Sequence, residues 1–247
     1  MKKDFLLFII FISGIIFCGS TFAQDGNKPG AADCNSYLTD LRKQLNLQWP
    51  NNRTINIVCH GHSVPAGYFK TPDVNTFGAY PYLLHKGIKD RFPYAVVNVI
   101  VTAIGGENSE AGERRFEKDV LSHQPDVITI DYGLNDRAIG LEKTRAAWAS
   151  MIRKAKARNV KVILLTPTPD MKHKPYDPNE PLNQHAQQIR RLAAEYGVGL
   201  ADSLAAFDEK QIQGVKLDDL LSQSNHPNEK GHRVVTDELL IFFAKDI

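Results

Sequence analysis

The chain is 247 residues long, 43% apolar and 23% charged, with a net charge of +2 at neutral pH. Its length and apolar content suit one sizeable globular domain. The small charge, with no basic cluster, argues against nucleic acid as a partner.

At the start of the chain, Lys2 and Lys3 precede an apolar run over residues 5–18, and Thr21-Phe22-Ala23 resembles a small-residue cleavage site. This is the pattern of a secretory signal peptide over residues 1–23, with the mature chain expected to begin at Gln24. The run is too short to span a bilayer comfortably, so no permanent membrane anchor is expected. Lipid attachment at Cys18 is disfavoured by Phe17 immediately before it. The expected location is periplasmic or extracellular. Export would permit Cys34 and Cys59 to pair, but Cys59 lies in an apolar run and reads more simply as a small buried side chain. Residues 24–33, rich in Gly, Asn, Asp and Pro, read as a flexible lead-in to a single domain over residues 34–247.

Along that domain, short runs rich in Val and Ile at residues 55–59, 96–101, 127–131, 160–165 and 199–201 predict strands. Their nearly continuous apolarity is that of strands buried on both faces. Helical patterns lie between and after them, at residues 77–92, 113–121, 142–158, 182–196 and 229–245. Strand-helix alternation of this kind builds right-handed βαβ units. The expected fold is a three-layer α/β/α sandwich around a five-stranded parallel sheet, since a (β/α)8 barrel would need eight units. The segment 166–181, with five prolines, reads either as a wall beside the substrate or as a solvated connection.

In open parallel sheets, ligands bind beyond the carboxyl ends of the strands. The first strand is followed by Gly61-His62-Ser63, the second by Gly105-Gly106-Glu107-Asn108, and the third by Tyr132-Gly133-Leu134-Asn135-Asp136. These loops offer a hydroxyl, a glycine turn with backbone N–H groups, and a side-chain amide, the parts of an acyl-transfer site. A histidine base is supplied by His226, just before the last helix. His60 and His62, two apart on a strand, could instead share a metal ion with Asp170, His173 or Asp202. That alternative accounts for one loop, whereas the serine reading accounts for four. His85, His123, His185 and His232 read as structural or solvent-facing, and Tyr80 and Tyr82 as packing residues. Tyr68, Phe69, Tyr132 and Arg137, with His62, stand near the cleft by position and are candidates for a substrate pocket.

Serine, glycine, asparagine and histidine, in this order and each in its own loop, resemble the SGNH (GDSL-type) hydrolase superfamily over most of the chain. The resemblance implies a flavodoxin-like fold and no metal or cofactor. It implies Ser63 as nucleophile, His226 as general base, and an oxyanion hole of Ser63 N–H, Gly106 N–H and the Asn135 amide. Two positions depart from the family pattern. His62 replaces the aspartate of Gly-Asp-Ser, and Gln223 replaces the acid three residues before the base. Gln223 is left as the orienting group, or else Asp202, Asp218 or Asp219 folding back, so the expectation is a Ser-His dyad or an atypical triad. The expected activity is a serine esterase removing acetyl groups from a polysaccharide, with a small-molecule or polysaccharide ester as substrate. A lysophospholipase or short-acyl lipid esterase is the alternative enzyme. A catalytically weak carbohydrate-binding protein on the same scaffold is the alternative of another class.

Overall fold

The computed structural model describes residues 30–245. The signal-peptide reading of residues 1–23 lies outside them, as does the lead-in up to residue 29. Within the rest of that lead-in, the Ala32 N–H donates to the Val198 carbonyl at 3.0 Å.

Five strands form one parallel sheet: β1 (Thr54–Gly61), β2 (Val96–Val101), β3 (Val127–Asp131), β4 (Lys161–Leu165) and β5 (Gly199–Ala201). Their spatial order is β2-β1-β3-β4-β5, the flavodoxin-like order expected for a doubly wound sheet. Period-two alternation divides the strand side chains between two cores. Ile57, Cys59, Ile163 and Leu165 face one layer, made by α1 (Thr39–Asn46), α3 (Tyr80–Arg91), α7 (Ser203–Ile212) and α8 (Glu229–Leu240). Val58, Ile128, Ile130, Val162 and Leu164 face the other, made by α4 (Ser109–Asp119), α5 (Leu141–Lys156) and much of α6 (Pro181–Tyr196). Cys59 keeps a free thiol, and burial pushes its pKa up to about 12.

Helix boundaries move where caps override periodicity. α4 begins at Ser109 rather than at residue 113, because the Asn108 side chain accepts from Ala111 N–H at 3.1 Å. The final helix ends at Leu240 and continues only as a 3-10 turn, Ile241–Phe243. Helices α1 and α7 were not expected from the sequence. α1 has a usable signal in Leu38, Leu41 and Leu45, all buried at helical spacing. α7 is capped by Asp202, whose carboxylate accepts from Ala205 N–H at 3.4 Å.

Segment 166–181 is no loose connection. Arg137 Nη1 donates to Asp170 Oδ2 at 2.7 Å, Met171 N–H donates to the Ser224 carbonyl at 2.8 Å, and His173 Nε2 lies 2.8 Å from Asp208 Oδ1. Burial works against a charge on His173. The Asp208 and Glu180 carboxylates outweigh it and hold its pKa above the ordinary histidine value.

A further unexpected element is a short antiparallel hairpin, β6 (Leu221–Gln223) and β7 (His226–Pro227), in which Gln223 faces His226 across the ladder. The hairpin is packed onto the start of α8, where Asn228 caps the Lys230 and Gly231 N–H groups. A Cβ at Gly231 would lie 2.3 Å from the Leu220 carbonyl oxygen and 2.9 Å from Pro227 Cβ. Gly231→Ala is therefore expected to cost about 1–3 kcal/mol, the usual range for overpacking, and to displace the hairpin. Urea unfolding should show the lower midpoint; an unchanged midpoint would mean that the hairpin yields freely.

Candidate active site

The order reversal of the sheet falls between β1 and β3, the position at which doubly wound folds open a crevice. β1 ends at Gly61, whose own Cβ would lie 2.4 Å from the Asp131 carbonyl oxygen; only glycine permits this approach of the two strand ends. The chain then turns into a single helical turn, α2 (Ser63–Ala66), with His62 as its N-cap.

Ser63 is buried on that turn, with its Oγ 2.9 Å from His226 Nε2. The tautomer of His226 follows from its other nitrogen. Nδ1 lies 2.9 Å from the Phe69 carbonyl oxygen, which can only accept. The proton therefore sits on Nδ1, and the Nε2 lone pair faces the Ser63 hydroxyl. Burial is the largest influence on His226 and holds its pKa below the ordinary histidine value, against the Phe69 hydrogen bond, which raises it. The ring is thus neutral and able to accept at pH 7.

Gln223 does reach His226, with its Nε2 2.7 Å from His226 Nδ1. The same amide accepts from Thr71 N–H through Oε1 at 3.0 Å and donates to Thr71 Oγ1 at 3.1 Å. An amide N–H2 and the ring N–H cannot both donate along one line. Turning the amide end for end would relieve that contact and set N–H2 against Thr71 N–H instead. The side chain positions the hairpin against Thr71 but is a poor acceptor for the ring.

The carboxylates considered for this role are elsewhere. Asp202 accepts from Arg190 Nε at 2.6 Å, Arg190 Nη2 at 2.8 Å and Thr166 Oγ1 at 2.9 Å. Asp218 and Asp219 are exposed on the 3-10 turn Leu217–Asp219. The group that meets the ring N–H is the Phe69 carbonyl, which no side-chain pattern could disclose.

The loop after β2 is bound to its neighbours through backbone and side chain. Ile104 N–H donates to the Gly61 carbonyl at 3.0 Å, and Asn135 Nδ2 donates to the Glu107 carbonyl at 2.9 Å. Between them Gly106 is exposed with a φ of +78°, a left-handed conformation that glycine adopts without steric cost. The Glu107 carboxylate accepts from Arg115 Nε at 2.8 Å and from the Tyr132 hydroxyl at 2.7 Å. Burial raises the Glu107 pKa, but the Arg115 and Tyr132 hydrogen bonds outweigh it and the net shift is downward. The glycine turn and the Asn135 amide are thereby held on one rigid support.

Several of the pocket expectations need correction. Tyr132 is fully buried and supports Glu107; it lines no pocket. His62 is equally buried, beneath Ser63. Tyr68 remains at the surface of the site, its ring 6.2 Å from that of His226 and close against Gly105. Arg137 is committed to Asp170.

His60 and His62 do not share a site. His60 meets Thr102 Oγ1 through Nδ1 at 2.9 Å and the Tyr132 hydroxyl through Nε2 at 3.1 Å. Burial, and then the nearby Arg115 charge, lower its pKa to about 4. Among the described residues no group of three or more His, Cys, Asp or Glu side chains converges as metal ligands would.

The model of the GDSL-like lipase/acylhydrolase family matches residues 59–234. An acetylxylan esterase of Geobacillus stearothermophilus is 24% identical over 162 residues, covering 60% of this chain and 73% of that protein. A crystal structure of an acetylxylan esterase from that organism has a TM-score of 0.68 at 20% identity, over 78% of this chain and 95% of the other. A two-domain esterase active on acetylated mannans, co-crystallised with mannopentaose, has a TM-score of 0.70 at 21% identity, over 87% of this chain and 54% of its own. Catalytic mutants of the Geobacillus enzyme alter a serine, a histidine and an aspartate three positions before that histidine. In the present chain Gln223 stands three positions before His226.

Replacing Gln223 by the isosteric carboxylate gives a direct test. The carboxylate of Gln223→Glu could accept from the His226 ring N–H, Thr71 N–H and the Thr71 hydroxyl together, with no opposed donors. A negative charge beside the ring raises the imidazole pKa, and a general base works only when deprotonated. The acid limb of kcat/KM is therefore expected to move to higher pH, with a higher plateau as the imidazolium is stabilised. A pH profile with an unmoved limb and an unchanged plateau would show that Phe69 alone orients the base.

Proposed function

The chain belongs to the GDSL-like lipase/acylhydrolase family and is a carboxylic ester hydrolase; from that premise we propose that it is an exported carbohydrate acetylesterase acting through Ser63 and His226. The observation that carries the mechanism is the 2.9 Å contact between Ser63 Oγ and an unprotonated His226 Nε2. The carbohydrate reading draws on relatives that act on acetylated xylan and acetylated mannans, and export draws on the leader over residues 1–23.

In the proposed reaction Ser63 Oγ attacks the acetyl carbonyl while His226 Nε2 takes its proton. The tetrahedral oxyanion is held by the backbone N–H groups of Ser63 and Gly106 and by Asn135. One N–H of the Asn135 amide is fixed on Glu107, and the other remains for the oxyanion. Collapse breaks the ester C–O bond, and His226 returns the proton to the leaving sugar hydroxyl. Water, deprotonated by the same nitrogen, then attacks the acetyl-serine, and collapse releases acetate with the proton returned to Ser63.

The imidazolium formed in each half-reaction is stabilised by the Phe69 carbonyl rather than by a carboxylate. Hydrogen bonds involving a charge contribute roughly 1.5–3 kcal/mol, against about 0.5–1.5 kcal/mol for neutral pairs, and a carbonyl accepting from imidazolium belongs to the first class. A carboxyl partner is therefore an improvement and not a requirement.

Ser63→Ala and His226→Ala should each lower the release of acetate from acetylated xylan by at least about 1,000-fold, because the two act as one unit, with circular dichroism unchanged. Lysophospholipid hydrolysis exceeding deacetylation would overturn the substrate class and leave the site intact. Asn135→Ala should lower kcat by about 100- to 1,000-fold, with a much smaller change in KM. A rise in KM alone would make Asn135 a substrate-binding residue.

A further inference from the structure

Directly beneath the nucleophile a second histidine faces a carboxylate. His62 and Asp131 are both almost wholly buried, and His62 Nε2 stands 3.5 Å from Asp131 Oδ1. On the opposite edge of the ring, His62 Nδ1 accepts from Val64 N–H at 3.2 Å and lies 3.4 Å from Ser63 Oγ. Ser63 Oγ thus sits between two imidazoles, with His226 the nearer at 2.9 Å.

We propose that His62 is a positioning residue for the nucleophile, its proton kept on Nε2 by Asp131 and its bare Nδ1 capping the turn that carries Ser63. A backbone N–H can donate only to an unprotonated nitrogen, so the Val64 contact fixes the tautomer. Asp131, at the end of β3, supplies the negative charge that favours a proton on the facing nitrogen. His62 Nε2 makes no hydrogen bond, so its link to Asp131 across the two strand ends is electrostatic, over 3.5 Å.

The cap also decides which imidazole takes the serine proton. The His62 Nδ1 lone pair is engaged by Val64 N–H, and the ring lies farther from Oγ than His226 does. Without that cap, Nδ1 would be an open acceptor beside the nucleophile, drawing the hydroxyl away from His226. A turn of only four residues, Ser63–Ala66, has little internal hydrogen bonding to hold it otherwise.

This proposal rests on Ser63 being the nucleophile, so the test separates the two. Steady-state kinetics on an aryl acetate would compare wild type, His62→Ala and His62→Asn. The Asn Oδ1 is bonded to Cγ as His Nδ1 is, and asparagine is a strong N-cap. His62→Ala is expected to lower kcat about 10- to 100-fold, the scale of a displaced reacting group. KM should stay within about twofold of wild type, and His62→Asn should recover most of the lost kcat.

Nitrogen-15 NMR of histidine-labelled wild type, with His62 assigned by its loss in His62→Asn, should show the Nε2–H tautomer. A wild-type kcat in His62→Ala, a folded His62→Asn no better than alanine, or an Nδ1–H signal from wild-type His62 would each overturn the proposal. The NMR result does not require either variant to retain activity. Labelling of wild-type Ser63 by a fluorophosphonate serves as the separate control. Its failure removes the nucleophile itself, whereas normal labelling with an Nδ1–H His62 removes only the positioning role.

Discussion

Ser63 and His226 are 163 positions apart in the chain and meet at 2.9 Å. Holding two such residues at hydrogen-bonding distance requires rigid ends on both sides. On the serine side this is the end of β1, which is paired to β2 and β3 in parallel registers. On the histidine side no long strand or helix carries the base. His226 sits on a two-residue strand, steadied by the first turn of α8 behind it and by Gln223 across the hairpin. The Phe69 ring stacks on His232 at 5.0 Å while its carbonyl receives the His226 N–H. His232 in turn accepts from Tyr80 N–H at 3.2 Å. The base is therefore oriented from the β1 side of the molecule, through a backbone oxygen whose own side chain is packed.

The polar groups of the site divide into a charged support and a neutral centre. Glu107 and Arg115 pair beneath the glycine turn, and Asp131 lies under His62. Around His226 itself the contacts are with a hydroxyl, a carbonyl and an amide. A neutral environment keeps the buried imidazole uncharged at rest, as its lowered pKa reflects. In the proposed reaction the imidazolium forms against a carbonyl dipole. A preorganised dipole costs little reorganisation when charge develops, which is the condition under which electrostatic stabilisation is most effective.

The sheet was legible because its central strands, buried on both faces, leave nearly uninterrupted apolar runs, and all five strands appear in the structure, with β2 a partly exposed edge. The four loops were legible for a related reason: in a parallel sheet the carboxyl ends lie on one side, so residues just after each strand converge. The hairpin was not legible, since Leu221–Gln223 and His226–Pro227 are too short to show any period. The neighbours of the base were hidden for different reasons. Phe69 acts through a carbonyl that every residue possesses. Tyr132 follows β3 and looked like a cleft residue, but the close approach of Gly112 leaves room for its hydroxyl to turn inward. Asp131 could have been found, because a carboxylate closing a mostly apolar buried strand needs a partner.

Two loops that flank the site also hold His226. Thr71, from the segment after α2, takes the Gln223 amide, and Met171, from segment 166–181, donates to the Ser224 carbonyl on the same hairpin. Segment 166–181 is itself fixed by Arg137–Asp170 and His173–Asp208. Arg137 lies two residues beyond Asn135 and donates to the Leu134 carbonyl at 3.0 Å. The oxyanion side and the base side are thus connected through a loop as well as through the sheet. Substitutions in contact within one such network do not add as independent terms. Changes at Thr71, Asp170 or Met171 made to alter substrate access will also move His226, and their effects on KM and kcat will be coupled.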